Sequence, residues 1–371
     1  MTPSTEASGV LDWLDRQQPA MLDLLERIVN IDSGSYDHEG VNAAGLAIKA
    51  HLDRRGIATE IIPRPDAAFC LAARVEAADA ATGTSPILLM GHRDTVFAKG
   101  EAARRPFRIE GGKAYGPGVA DMKGGLVMNC FVAEAFHRCG GHRHPIRLLF
   151  TSDEEIGSPS SKAVIEAMAR GAGFVFNSEP GRVNGNIVTG RKGAWFSSLE
   201  VHGVAAHSGA AHQHGASAIR ALCRKIEALE ALTDYETGIT ANVGLIEGGQ
   251  SANTVPPFAK ASIDIRYRSR ADLPDIDAAV RNIAERTDVE RTRAEIRKPV
   301  VFPPLEPTPA NQALFERYVA ASAALGLAVE GEYSGGAADK DFRWVPGTDP
   351  EDQRQPANSG CGATPGAAGS L

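Results

Sequence analysis

The chain has 371 residues, of which 43% are hydrophobic and 23% charged, and its formal net charge is −7. The chain is longer than most domains that form around a single hydrophobic core, so two domains are expected. The acidic balance argues against nucleic acids and anionic membranes as partners, because both attract basic surfaces.

Apolar positions at helical spacing predict helices over residues 10–30, with an interruption at Pro19, and over residues 41–55. PILLMGH (86–92) and PIRLLFTSDEE (145–155) are short apolar runs that end in polar residues, which is typical of strands buried on both faces. The segment between them, GGLVMNCFVAEAFHRCG, has a helical pattern. This alternation predicts an α/β domain with a mainly parallel sheet flanked by helices.

A different pattern begins after residue 190. AWFSSLEVHG and AKASIDIRYR alternate apolar and polar residues, as strands with one solvated face do. GASAIRALCRKIEAL and LPDIDAAVRNIAERT have helical patterns. We therefore expect an α+β domain over residues 191–305, inserted into a first domain that comprises residues 1–190 and 306–342.

No apolar run reaches the ~18 residues of a membrane span, and the N-terminal sequence lacks the apolar centre of a signal peptide. The five cysteines include no C-x-x-C pair, which favours a reducing compartment over a disulfide framework. We expect a cytoplasmic protein.

Acidic residues and one histidine lie at the ends of the predicted strands, including a third strand in FVFNSEPG (174–181), or, in the case of Asp121, in the glycine-rich loop GPGVADMKGG before the helix. They are His92, Asp94, Asp121, Glu154, Glu155 and Glu179. Ligands of open α/β sheets bind at the carboxyl ends of the strands, and carboxylates gathered there repel one another unless a cation is present. Imidazole together with carboxylate suits zinc, manganese or cobalt, so the pattern predicts a two-metal hydrolase. Taken singly, each motif could instead be a hydrogen-bonded loop pair, a solvated turn or a helix cap.

The ordered motifs GHRDT, GPGVADMKGG, TSDEEIGS, NSEPG and AAHSG resemble those of the M20 family of metallopeptidases, and within it the glutamate carboxypeptidase-like branch. The resemblance runs from about residue 20 to about residue 342. It implies a zinc-peptidase-like catalytic domain, an inserted lid and dimerisation domain over residues 191–305, and hence a homodimer.

The resemblance also implies two divalent metal ions, with zinc favoured over cobalt or manganese. His92, Asp121 and Glu179 would bind one ion. Asp121 would bridge to the second ion, which Glu155 would also bind.

Five further residues receive roles from the resemblance. Asp94 would orient the metal-binding histidine, and Glu154 would be the general base. His207 would polarise the scissile carbonyl or bind its oxyanion, while Asn253 and Arg266 would hold a substrate carboxylate. Without the resemblance, these last three residues are more simply a turn histidine, a turn asparagine and a strand-edge salt bridge.

The sequence departs from the family pattern after about Phe342. The family's second metal normally takes a further histidine near the C-terminus, and here no histidine follows His214. Residues 343–371 are rich in glycine and proline, which predicts disorder. We expect the second metal site to lack one ligand.

Three functions stay open from the sequence. The first is hydrolysis of an amide bond that releases an amino acid, most simply a C-terminal glutamate, from a small or peptide-like substrate with a free carboxylate. The second is deacylation of an N-acyl amino acid. The third is an inactive relative of such an enzyme.

Overall fold

The computed structural model of the chain describes residues 5–77, 84–140, 142–181 and 183–336. It divides into two compact units, one of residues up to 190 and 307–333, and one of residues 191–306 with 334–336. In the described part of the chain, no helix is both long and apolar enough to cross a membrane. The predicted departure after Phe342 and the tail 343–371 lie outside the described residues.

The helices are α1 (Thr5–Asp15), α2 (Gln18–Val29), α3 (His38–Arg54), α4 (Glu101–Arg104), α5 (Gly124–Cys139), α6 (Lys162–Ala169), α7 (Ala218–Glu230), α8 (Leu273–Glu285) and α9 (Pro309–Ala324). The strands are β1 (Ala58–Ile62), β2 (Cys70–Val75), β3 (Ile87–His92), β4 (Arg108–Glu110), β5 (Lys113–Tyr115), β6 (Ile146–Thr151), β7 (Phe174–Asn177), β8 (Ile187–Arg191), β9 (Gly193–His202), β10 (Ala206–His207), β11 (Thr240–Gly248), β12 (Thr254–Val255), β13 (Phe258–Tyr267), β14 (Arg293–Ile296), β15 (Val300–Phe302) and β16 (Gly331–Ser334).

The first unit is built on a sheet with the strand order β1-β2-β6-β3-β7. Strand β3 is parallel to β6 and β7, and β2 is antiparallel to both β1 and β6, so four of the five strands share one direction. Leu148 and Phe150 of β6 share a buried core with Phe131 of α5 and Ile48 of α3. The predicted α/β architecture with a mainly parallel sheet is confirmed.

Local sequence signals account for the starts of α2 and α3. The break between α1 and α2 falls at residues 16–17, just before the predicted interruption at Pro19. Pro19 itself lies in the first turn of α2, where its missing N–H costs no helical hydrogen bond. The carboxylate of Asp37 caps α3 by accepting the N–H of Gly40 at 3.2 Å.

The second unit contains an antiparallel sheet of order β11-β13-β9-β14, and β15 also pairs with β9. The residues of β13 alternate between buried and less buried positions, as expected when helices cover one face. Helices α7 and α8 contribute Leu222 and Val280 to a core that includes Trp195, Ile263 and Ile265. This α+β arrangement was expected from the sequence.

The parallel strands of the first unit end at one edge of the sheet. His92, the last residue of β3, lies opposite Thr151, the last residue of β6. On the other side, Met90 lies opposite Asn177, the last residue of β7. The polar segments that follow these three strands are therefore brought together.

Candidate metal centre

His92 lies at the centre of a group of carboxylates and is almost completely buried. Its Nε2 atom is 3.2 Å from Asp121 Oδ1, 3.7 Å from Glu179 Oε1 and 3.9 Å from Glu154 Oε2. Potential ligand atoms of His92, Asp121 and Glu179 all lie within 4.8 Å of one another. One nitrogen and two carboxylate oxygens at this spacing form a group that could hold a metal ion.

The main chain of Asp94 defines which nitrogen of His92 faces this group. The Nδ1 atom is 2.9 Å from the carbonyl oxygen of Asp94, and 3.4 Å from its Oδ1. A carbonyl oxygen only accepts hydrogen bonds, so Nδ1 carries the proton in the neutral ring and Nε2 presents its lone pair to the carboxylates. The nearer partner of the ring is thus the main chain of Asp94 and not its carboxylate.

The carboxylate of Asp94 fixes the turn that carries the two glutamates. It accepts the main-chain N–H of Glu154 at 3.0 Å, the N–H of Glu155 at 3.1 Å and the hydroxyl of Ser35 at 2.7 Å. Burial alone would raise the pKa of Asp94, but its contacts with His92 and these donors outweigh burial and lower that pKa. The ionised carboxylate therefore holds Glu154 and Glu155 beside the histidine.

Glu179 is positioned by α5 and by the segment that precedes it. The side-chain amide of Asn129 donates to the carbonyl oxygen of Met90 at 3.2 Å and accepts the hydroxyl of Ser178 at 2.6 Å. Gly125 allows this approach, since a Cβ atom there would lie 1.9 Å from the carbonyl oxygen of Ser178. Asn129 and Ser178 were not predicted from the sequence, because neither belongs to a pattern with ligand spacing.

The charges of this group are unbalanced without a cation. Burial, followed by the nearby charges of Asp121, Asp94 and Glu179, raises the pKa of Glu155 to about 7. Burial opposes protonation of His92, but its acidic neighbours outweigh burial and raise its pKa well above the ordinary value. The Oε1 atom of Glu179 is buried and has no hydrogen-bond partner among the described residues. A divalent cation fits this donor set, because it would satisfy that oxygen and offset the repulsion.

His207 and Asn253 lie together in the second unit. Strands β10 and β12 pair there, and the N–H of Ser208 donates to the carbonyl oxygen of Asn253 at 2.9 Å. The Nδ1 atom of His207 accepts the N–H groups of Gly209 at 3.2 Å and Ala210 at 3.1 Å. A neutral His207 therefore carries its proton on Nε2, where it is a hydrogen-bond donor.

Arg266 lies on β13, on a different strand pair from His207 and Asn253. Its guanidinium forms two hydrogen bonds with the carboxylate of Asp264, at 2.7 and 3.0 Å, and stacks over Phe196. Burial, followed by the charges of Arg268 and Arg266, lowers the pKa of Lys192. The second unit thus contains a basic cluster of Lys192, Arg266 and Arg268, of which only Arg266 was anticipated from the sequence.

The first unit therefore places six of the predicted residues at one sheet edge, namely His92, Asp94, Asp121, Glu154, Glu155 and Glu179. Among the described residues, Glu155 is not a member of the three-residue group with ligand atoms within 4.8 Å. Ser35, which is 59 residues from its partner Asp94, was not predicted either. No spacing rule connects residues that far apart.

Comparisons with known proteins identify the family of this chain. The sequence model of peptidase family M20/M25/M40 matches residues 88–358 of this chain. Carboxypeptidase G2 of Pseudomonas sp. (strain RS-16) is 32% identical over 277 residues, which are 74% of this chain and 66% of that protein. The chain thus spans slightly less than two thirds of that relative. Acetylornithine deacetylase of Proteus mirabilis is 28% identical over 281 residues, 70% of each chain.

The fold is also found among solved structures. A tripeptidase from Staphylococcus aureus subsp. aureus Mu50 superposes with a TM-score of 0.71, covering 86% of this chain and 85% of that one at 20% identity. At this identity the likeness shows the fold alone, a mixed α/β unit with a separate sheet-containing unit.

Proposed function

Because this chain belongs to peptidase family M20/M25/M40, we propose that it is a metal-dependent hydrolase that cleaves an amide bond and releases an amino acid. The observation that carries the proposal is the group of His92, Asp121 and Glu179, whose ligand atoms lie within 4.8 Å of one another. Glu154, 3.9 Å from the histidine ring, supplies a carboxylate for proton transfer beside that group.

The group described above supplies the ligands of a first ion, and the family resemblance supplies those of a second. His92, Asp121 and Glu179 would bind one divalent ion, and Asp121 with Glu155 would bind a second. Imidazole and carboxylate ligands favour zinc, with cobalt and manganese as alternatives. An ion bound there supplies Lewis-acid activation of water and of the amide carbonyl.

Glu154 would act as the general base. A carboxylate oxygen of Glu154 accepts the proton of the attacking water and returns it to the leaving nitrogen. The hydrogen bond between its main-chain N–H and Asp94 keeps Glu154 at this position. In the Glu154–Glu155 doublet, the carboxylate of Glu154 would thus transfer protons and that of Glu155 would bind metal.

His207 would donate a hydrogen bond to the oxygen of the scissile carbonyl as negative charge develops there. The N–H groups of Gly209 and Ala210 occupy its Nδ1 atom, and this leaves the proton on Nε2. His207 therefore needs no change of protonation state to act as a donor.

The basic cluster of the second unit would bind the carboxylates of the substrate. The planar fork of Arg266, which is paired with Asp264 in this structure, would exchange that partner for a substrate carboxylate. Lys192 and Arg268 add positive charge, and Asn253 adds an amide. Glutamate carries two carboxylates when it is the C-terminal residue of a substrate, which suits several cations better than one. Together with the resemblance to carboxypeptidase G2, this favours a glutamate-releasing carboxypeptidase.

Deacylation of an N-acyl amino acid is the second candidate, because acetylornithine deacetylase is also a relative. A panel of 4-aminobenzoyl-L-glutamate, N-acetyl-L-ornithine and N-succinyl-L,L-diaminopimelate, assayed with added zinc or cobalt, distinguishes the two. We expect release of glutamate from the first compound. Turnover of only the second or third compound would favour the deacylase, and metal binding without any turnover would favour an inactive relative.

The assay has a matched pair of variants. Glu154→Gln should lower the rate of glutamate release about 10²- to 10⁴-fold, whereas Glu110→Gln, at an exposed position of β4, should leave it unchanged. Retained activity in Glu154→Gln would contradict the role of general base.

We also propose that the chain forms a homodimer through the second unit. Strand β11 lies at the edge of its sheet, and Leu245 and Ile246 on it are 71% and 57% exposed. An edge strand with exposed apolar side chains is a template for pairing with a second copy. Ile246→Lys should yield a monomer in sedimentation velocity, and Val183→Lys, at a fully exposed position, should not. A monomeric wild-type protein would contradict this proposal.

A further inference from the structure

Arg93 is a buried cation between two residues of the candidate metal centre. It follows His92 and precedes Asp94, and its relative exposure is 0%. The proposed reaction gives Arg93 no role, since its guanidinium contacts none of the carboxylates that would bind metal.

The guanidinium joins three segments that are distant in the sequence. Its Nε donates to the carbonyl oxygen of Thr151 at 3.1 Å, Nη1 donates to that of Val41 at 3.3 Å, and Nη2 donates to that of Phe69. Its Cζ lies 4.7 Å from the centre of the Phe69 ring. A planar fork can serve three carbonyl groups at once in a way that an ammonium group cannot.

The charge of Arg93 is not neutralised by a direct ion pair. In the described part of the chain no carboxylate is in salt-bridge contact with it, and Asp94 and Asp153 act on it only at longer range. Burial lowers its pKa to about 10, so it remains charged at neutral pH. A buried charge without a paired carboxylate is costly, and an apolar side chain would fill the same space at lower cost.

Helix α3 contains a recess that fits this guanidinium. A Cβ atom at Gly45 would lie 1.7 Å from Nη1 of Arg93 and 2.9 Å from its Cζ. Only glycine at position 45 leaves room for the fork where it now lies.

We infer that Arg93 is a positioning residue that holds the end of β3 and the end of β6 in the register needed by the metal centre. The carbonyl oxygen of Thr151 accepts both the main-chain N–H and the Nε–H of Arg93, each at 3.1 Å. Beyond Thr151, the turn with Glu154 and Glu155 is tied back to Asp94. The segment of His92 is therefore joined to the segment of the two glutamates twice, by Arg93 through Thr151 and by Asp94 through the N–H groups of Glu154 and Glu155. That these segments form a metal centre rests on the proposed function.

The test compares Arg93→Met and Arg93→Lys with a matched control, Lys225→Met. Lys225 is also a buried cation that donates to three main-chain carbonyl oxygens, those of Ile283, Ala284 and Arg286, but it belongs to the second unit. The readouts are cobalt affinity by competition with a chromophoric chelator, the visible spectrum of bound cobalt and thermal unfolding.

Both Arg93 variants should bind cobalt about 10- to 100-fold more weakly and change its spectrum, as loss of groups that orient ligands generally does. Lys225→Met should lower the unfolding temperature and leave affinity and spectrum unchanged. Wild-type affinity and spectrum in both Arg93 variants would overturn the inference.

A double-mutant cycle tests the recess. Gly45→Ala should weaken cobalt binding in the wild-type background, and most of that effect should vanish in Arg93→Met, because the added methyl group then no longer meets the guanidinium. Equal effects in both backgrounds would overturn the inference.

Hydrogen exchange in the metal-free protein separates this inference from the proposed function. The amides of Glu154 and Glu155 should exchange faster in Arg93→Met than in the wild type or in Lys225→Met. Unchanged exchange would overturn the role of Arg93 even if metal binds. A wild-type protein that takes up no cobalt would refute the metal centre. Faster exchange in Arg93→Met would, even then, support the attachment of the two segments by Arg93.

Discussion

Replacing Asp94 with asparagine changes one oxygen atom into an NH₂ group at a fully buried position. The native carboxylate accepts three hydrogen bonds, with the N–H of Glu154 on Oδ1, and the N–H of Glu155 and the hydroxyl of Ser35 on Oδ2. An asparagine has one oxygen, which can face either the donor on Oδ1 or the two donors on Oδ2. In the better orientation the oxygen faces Glu155 and Ser35, and the NH₂ group faces the N–H of Glu154.

The cost follows from these contacts. One buried N–H loses its acceptor, which costs about 1–3 kcal/mol, and two charge-assisted hydrogen bonds become neutral, at about 1 kcal/mol each. We therefore expect Asp94→Asn to lower the free energy of unfolding of the metal-free first unit by about 3–5 kcal/mol. Ser35→Ala removes one hydrogen bond to the ionised carboxylate and should cost about 1.5–3 kcal/mol.

Urea unfolding measures this difference. Trp13 packs against Phe131 in the first unit at a ring distance of 6.3 Å, and its fluorescence reports on that unit when Trp195 and Trp344 are replaced by phenylalanine. The pKa of Asp94 is lowered in the folded protein, so its contribution is complete above the ordinary value of 3.8 and is lost as the pH falls through the lower folded pKa. The difference in the free energy of unfolding between the wild type and Asp94→Asn should therefore disappear in acid. An equal cost for Ser35→Ala and Asp94→Asn, or no cost for either, would refute this reasoning.

Three further predictions concern catalysis and pH. Glu154→Gln should lower kcat about 10²- to 10⁴-fold while metal content, measured by plasma emission, stays unchanged; a loss of metal would assign Glu154 to the ligands instead. His207→Ala should lower kcat about 10²- to 10³-fold with little change in KM, and steady-state kinetics showing a change in KM alone would contradict its role as a donor to the developing charge. The pKa of Glu155 is raised to about 7 and that of His92 well above 6.5, so both groups stabilise the metal-free fold at low pH. Calorimetry should show that this stability falls as the pH rises through 4.5 and past 7, and that added zinc reverses the loss; a rise over this range would contradict the assignment.

The sequence was most informative about the strands that carry the site. PILLMGH and PIRLLFTSDEE end in polar residues where β3 and β6 end, because a buried parallel strand must be apolar until it reaches the sheet edge. The parallel register then places His92 beside Thr151, three residues before Glu154. This part of the site depends on strand ends alone, which hydrophobic patterning reveals.

Other contacts depend on packing between distant segments. The bond between Asn129 and Ser178 spans 49 positions, and the recess for Arg93 depends on a glycine of α3. By contrast, the pairing of Arg266 with Asp264 lies within one strand, and the sequence had offered a strand-edge salt bridge as its simpler interpretation. Spacing rules describe neighbours along one element, so contacts between elements could not be predicted from them.

Zinc titration of chelator-stripped protein by isothermal calorimetry tests the metal centre most directly. The wild-type chain should bind at least one zinc ion, and Asp121→Asn and Glu179→Gln should each lose that binding, while Glu110→Gln should retain it. A wild-type protein that binds no zinc, or variants of Asp121 and Glu179 that bind it as the wild type does, would contradict the assignment of these residues as ligands.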